Sequence, residues 1–196
     1  MMNKTEFIKI CKEAKADIIV QKYIIENETY FFSKIKIGQE FDFKKDIANI
    51  LNVHIRDIVI VGSGKLGFSL KPDNSNSGLY LFKDFDNNSS KKSDLDIGII
   101  SSDLFDKEMK NLYDFMGYHK SIWDSRSSFA KYTLKGRIAI RFLPDNFKLT
   151  DEIRKVVEKY KMLYGRDISI EIYKSWHYFE TYQRENIKNI QVNLIL

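Results

Sequence analysis

Apolar side chains recur at near-helical spacing through residues 5–26, at Phe7, Ile8, Ile10, Cys11, Ala14, Ile18 and Ile19. That period predicts one long helix or two joined ones, with Thr5 as the cap. Residues 27–33 carry Tyr30, Phe31 and Phe32 in a row and predict a loop with an aromatic plug. Phe43, Ile47, Ala48, Ile50 and Leu51 then mark one face of a helix reaching Asn52, with Asp42 as its cap. The period changes at 57–61, where the continuous run Ile58-Val59-Ile60-Val61 predicts a buried strand. A glycine-rich turn follows, then a short helix from Lys65 that stops near Pro72. From Asp73 to Ser93, Asn, Ser, Asp and Lys take over and predict a long loop.

Strand composition returns at 93–101, ahead of helices at 103–118 and 121–134 and a strand at 136–144. A helix at 150–164, a strand at 167–174 and a helix at 175–190 complete the pattern. The order predicts an α+β fold of one domain over residues 1–196. Within it, 1–56 is an N-terminal helical part, 57–145 a core, and 146–196 an α-β-α extension.

Composition narrows the class without choosing a function. An apolar fraction of 43% with 30% charged residues is that of a globular protein. No apolar run nears the roughly 18–20 residues that cross a bilayer. Lys12, Glu13, Lys15 and Asp17 interrupt the segment after the first residues, where a signal-peptide core would lie. These features predict a cytoplasmic protein with no membrane contact. A net charge of +5 is compatible with polyanionic partners but selects none. The single cysteine, Cys11, can form no internal disulfide and reads as a packing residue, and three scattered histidines have no zinc-ligand spacing.

Gly62-Ser63-Gly64-Lys65-Leu66-Gly67 matches the G-x-G-x-x-G pattern of dinucleotide-binding turns. That reading needs a full helix after the turn and an acid at the end of a second strand. Pro72 leaves about two turns of helix, and Asp84 and Asp86 lie in a polar stretch instead of at a strand end. A Walker A loop fits less well still, because Phe68 and Ser69 follow Gly67.

The turn has a second possible counterpart in Ser93-Asp94-Leu95-Asp96-Ile97. Strand alternation puts Asp94 and Asp96 on one face and Leu95, Ile97 and Ile99 on the other. Two carboxylates about 7 Å apart along a strand can converge on one divalent ion. The Ser63 hydroxyl and nearby backbone N–H groups would then meet a phosphate.

The strand, Gly62-Ser63 and Asp94-x-Asp96 together resemble the DNA polymerase β-like nucleotidyltransferase superfamily over about residues 57–145. "VGSGKLGFSLKP" with "SDLDIGI" is more similar to the small stand-alone bacterial members, including those of phage defence and toxin–antitoxin systems. The resemblance implies a polymerase β-like core, a small mixed sheet with helices on one side, plus N- and C-terminal helices. It implies transfer of NMP or dNMP from an NTP or dNTP to a hydroxyl of a protein, nucleic acid or nucleotide. It also implies Mg²⁺ or Mn²⁺ held by Asp94 and Asp96 as catalytic residues, and a partner protein from a neighbouring gene. Gly62, Ser63, Lys65 and Arg141 would bind the nucleotide, with Lys91 and Lys92 adding positive charge near the triphosphate.

The family usually carries a third carboxylate on the next strand, where Arg141 stands in this chain. Either Arg141 replaces it, leaving a two-carboxylate site or a catalytically inactive nucleotide-binding regulatory module, or Asp145 or Glu171 supplies it. Ser169, Glu171 and Tyr173 share one face of their strand, which places Glu171 toward solvent if that strand is an edge. Trp176, Phe179, Gln183 and Ile187 form the core face of the last helix. Tyr178 and Tyr182, at i and i+4, offer a stacking surface or an acceptor hydroxyl.

Overall fold

A computed structural model of the chain describes residues 3–72, 79–87, 91–118 and 123–195. Parts of the loop expected at 73–93, and the start of the helix expected at 121, lie outside the described residues.

The N-terminal helical pattern resolves into α1, Lys4–Glu13, and α2, Ala16–Ile19, which winds on as a π-helix through Val20–Glu26. Asn3 caps α1 in place of the expected Thr5, its side chain accepting the Glu6 N–H at 2.8 Å. The aromatic stretch expected as a loop is a helical turn, α3, Tyr30–Lys34, because Phe31 and Phe32 both bury inward. Next come α4, Glu40–Leu51, and β1, Ile58–Val61. Asn52 ends α4 in left-handed backbone at φ 51°. The helix after the glycine turn, α5, spans only Gly62–Leu66. Gly67 at φ 88° stops it well before Pro72.

The remaining elements are β2, Leu95–Ile100; α6, Ser102–Tyr118; α7, Arg126–Leu134; β3, Arg137–Ala139; α8, Asp151–Tyr164; β4, Ile168–Tyr173; and α9, Trp176–Ile195. The strands form a mixed sheet in the order β1-β2-β4-β3, giving an α+β fold. β3 runs antiparallel to β4, with Arg137 opposite Tyr173 and Ala139 opposite Glu171. β4 is therefore an interior strand and β3 the edge, so the placement of Glu171 on a solvent-facing edge strand is corrected.

β3 is also shorter than its composition suggests. After Ala139 the chain turns into a 3₁₀ segment, Ile140–Phe142. Trp123 Nε1–H donates to the Phe142 carbonyl at 2.7 Å, and Tyr132 stacks on the Phe142 ring at 5.1 Å. Those contacts hold the backbone out of the ladder, so Arg141 is not a strand residue.

The chain groups into two compact units. One comprises residues 1–43, 60–96 and 180–196, and the other 44–59 and 97–179. In the first, Phe7, Ile19, Phe31, Ile60 and Leu95 are core residues. Cys11 is buried there, and burial pushes its thiol up to about 11, so it packs as an apolar side chain. In the second, Ile97, Ile138, Ile172, Tyr173 and Phe179 fill the core, and Trp176 donates to Asp57 at 2.9 Å. No helix among the described residues is long and apolar enough to cross a membrane.

Candidate active site

The glycines of the turn each answer to a local constraint. Gly67 takes left-handed backbone, and a Cβ there would lie 2.6 Å from the Tyr30 ring. A Cβ on Gly64 would lie 2.7 Å from Leu95 Cδ1. Gly62 has φ +65°, and its Cβ would lie 2.7 Å from Asp96 Oδ2. Close packing and positive φ thus account for the G-x-G-x-x-G pattern without a dinucleotide. The turn also brings residue 62 directly against the Asp-x-Asp segment.

Alternation in β2 is as the sequence predicts. Leu95, Ile97 and Ile99 are fully buried, while Asp96 is half-buried and Asp94, one residue before the strand, is exposed. Among the described residues, Ser63, Asp94 and Asp96 line one cleft of about 670 Å³, with Lys71, Lys83, Lys91 and Lys92 around them and Ser69, Asp84, Asn87 and Ser93 also in its lining. Every lining residue belongs to the first unit.

The lysine-bearing side of the cleft is an organised piece of backbone. Phe68 and Asp84 form an isolated antiparallel bridge. Ser69 N–H donates to the Lys83 carbonyl at 2.8 Å, and Phe85 N–H to the Gly67 carbonyl at 2.8 Å. Phe68 and Phe82 bury beside Phe7, with ring centroids 5.4–6.1 Å apart. Asp86, held at φ 57°, and Ser93 bond each other twice. Asp86 N–H donates to Ser93 Oγ at 2.9 Å, and Ser93 N–H donates to Asp86 Oδ1 at 2.8 Å.

The remaining expected site residues each have a local setting of their own. Lys65 is buried, and its ammonium donates to the carbonyls of Ile25, at 3.2 Å, and Asn27. It ties the glycine turn to the end of the π-helix and does not line the cleft. Arg141 belongs to the second unit, is exposed, and lies over the Phe142 ring at 4.8 Å. Asp145, in the same unit, is exposed. Glu171 is ion-paired with buried Arg137 and accepts the Tyr173 hydroxyl at 3.0 Å. Tyr178 packs its ring where a side chain on Gly136 would otherwise stand. Sequence reasoning missed Ser69, Lys71, Lys83 and Asn87. The signal was the spacing of Phe68, Phe82 and Phe85, apolar anchors bracketing a polar stretch.

The donor set suits a hard divalent cation. Magnesium takes one or two carboxylates and completes its shell with water and substrate phosphate oxygens. Asp94 and Asp96 are the two carboxylates that could serve so here, with the Ser63 hydroxyl in the same cleft. Asp84 also lines the cleft, but Lys4 meets its carboxylate at 2.7 Å. Among the described residues, no group of three or more His, Cys, Asp or Glu side chains is placed to hold one ion. No protein-family model, curated protein or solved structure matches this chain.

Proposed function

We propose that the chain is a metal-dependent nucleotidyltransferase of the polymerase β-like class, using an NTP or dNTP and a hydroxyl acceptor. One observation carries this reading: the Asp96 carboxylate lies against Gly62, in a cleft that also takes Asp94 and the Ser63 hydroxyl. Asp94 and Asp96 would hold Mg²⁺ or Mn²⁺, which supplies the positive charge that offsets the charge building on the phosphates. Ser63 would donate to a phosphate oxygen, and the surrounding lysines would bind the rest of the chain of phosphates. The acceptor oxygen would bond to the α-phosphorus and lose its proton to solvent, while the bond from the α-phosphorus to the α–β bridging oxygen breaks and that oxygen leaves with the electron pair as part of pyrophosphate.

The experiment is incubation with each NTP and dNTP plus Mg²⁺ or Mn²⁺, following pyrophosphate and labelled product. Release that disappears in the Asp94→Ala/Asp96→Ala variant supports transfer. A second reading, nucleotide binding without turnover, is favoured by the pairing of Glu171 with Arg137 and by there being, among the described residues, no third acid grouped with Asp94 and Asp96 to hold one ion. Nucleotide binding without pyrophosphate release, under every nucleotide and both metals, would select it.

A further inference from the structure

Between Ser125 and Pro144 the sequence carries five basic residues, Arg126, Lys131, Lys135, Arg137 and Arg141, and no acidic one. The fold turns part of this acid-free stretch into a column of planar groups. Tyr132 on α7 and Phe142 in the 3₁₀ segment stack 15° from parallel, with centroids 5.1 Å apart. The Arg137 guanidinium lies over the Tyr132 ring at 4.8 Å, and the Arg141 guanidinium lies over the Phe142 ring at 4.8 Å. All four residues belong to the second unit.

Exposure rises along the column. Arg137 is buried and ion-paired with Glu171, Tyr132 and Phe142 are half-buried, and Arg141 is exposed. Backbone contacts fix it in place: Trp123 Nε1–H donates to the Phe142 carbonyl at 2.7 Å, and Arg137 stands opposite Tyr173 in the β3–β4 ladder. A platform held in this way loses little side-chain freedom when a flat ligand settles on it. Ser128, one helical turn before Tyr132 on the same face of α7, is exposed, as is Lys131.

Planarity and charge together narrow the partner. Charge alone suits any polyanion, and aromatic rings alone suit any apolar surface. An unpaired nucleobase stacks on aromatic rings and guanidinium planes, while the phosphates beside it take hydroxyl and ammonium donors. Inside a duplex each base face is already covered by its neighbours, so only a single strand can use such a platform. Arginine suits the stacking position because its charge is spread over a plane, which a lysine ammonium lacks.

We infer that the face built by Tyr132, Phe142 and Arg141 binds single-stranded nucleic acid, with a base stacked at the Arg141 end and phosphates taken by Ser128 and Lys131. The inference does not rest on nucleotidyl transfer, because no residue of the cleft beside Ser63 takes part in it.

The test is fluorescence anisotropy of the full chain with a labelled single-stranded RNA of about 12 nucleotides, over ~0.05–0.15 M salt. The same sequence as single-stranded DNA and as an RNA duplex is measured alongside, with poly-glutamate as competitor. The expected result is saturable binding of the single strands, at least about tenfold tighter than of the duplex. Arg141→Lys keeps the charge and removes the plane, so it should weaken single-strand binding by about tenfold while leaving the salt dependence unchanged. Lys131→Gln should instead make the salt dependence shallower, by about 0.7 in logarithmic slope. Both residues are exposed, so the fold tolerates the changes, and thermal unfolding verifies that it does. RNA and DNA bound alike support recognition through base and phosphate, and tighter binding of RNA supports it with a 2′-hydroxyl contact added. Failure to bind either single strand overturns the inference. Equal affinity for the duplex, or displacement by poly-glutamate at matched charge, identifies an unselective surface and overturns it too. Unchanged affinity in Arg141→Lys does the same. Pyrophosphate release, measured separately, decides the transferase reading whichever result is found.

Discussion

Asp96 Oδ2 lies 2.7 Å from the point where a Cβ on residue 62 would stand, so the Asp96 carboxylate and the Gly62 backbone can meet only if residue 62 has no side chain. Positive φ at the same residue makes the requirement double. Gly62→Ala therefore strains the backbone by ~1–2 kcal/mol and pushes the carboxylate away from the turn. The expected outcome is a melting temperature lower by about 2–8 °C and metal-dependent ATP binding weakened by about tenfold or more. Thermal unfolding and calorimetry check both; an unchanged affinity would separate the turn from the site.

Asp94→Asn and Asp96→Asn each keep the size of the side chain and remove its charge. Pyrophosphate release should fall by about 100-fold or more in either variant, as loss of a metal ligand would require. Asp94 is exposed, so its replacement should shift stability by no more than about 0.5 kcal/mol. Activity retained in both variants would remove the aspartates from the mechanism.

Lys65→Met should separate structure from binding. Its ammonium bonds carbonyls of Ile25 and Asn27, and charged hydrogen bonds of this kind contribute about 1.5–3 kcal/mol each. The variant should melt several degrees lower while the folded protein binds ATP within about threefold of the original affinity. A large loss of affinity with unchanged melting would instead assign Lys65 to the ligand.

Glu108 on α6 is 2% exposed. Burial pushes its carboxyl pKa above the ordinary 4.5, and the Thr150 N–H, which donates to it at 3.3 Å, only partly opposes that. The native state therefore binds this proton more tightly than the unfolded chain does. Stability from this group is present below 4.5 and is lost as pH rises through the native pKa. Glu108→Gln should raise the melting temperature at neutral pH, and the gain should vanish below 4.5. Equal gains at both pH values would assign the effect to packing instead of charge.

Arg137, also 2% exposed, pairs with Glu171 and lies 4.8 Å from the Tyr132 ring centroid. Arg137→Met alone should cost about 3–5 kcal/mol by leaving the Glu171 carboxylate without its partner. Adding Glu171→Gln should recover part of that loss, measured by denaturant unfolding of both single variants and the double. Additive losses would show that the two residues are not coupled.

Local rules made much of this chain legible. The unbroken, β-branched apolar run at 58–61 reads as a buried strand and is one, and the period-2 pattern at 94–99 separated two acids from three buried aliphatic residues. A strand, a glycine turn and an Asp-x-Asp segment are short-range features, set by backbone sterics and side-chain alternation. Their proximity in one cleft was a sequence-level expectation, and the contact between Gly62 and Asp96 carries it in the structure.

Long-range packing decided the rest. Lys65 reads as a phosphate ligand by its place in the motif, yet its side chain is buried, and two carbonyls from a distant helix end accept its ammonium protons and offset the cost of that burial. Arg141 left the strand because Trp123 and Tyr132 capture Phe142. Glu171 became half of an ion pair because β3 adds beside β4 and brings Arg137 with it. The residue order determined which groups could do chemistry. Tertiary structure determined where each of them packed, because each buried charge had to find a partner.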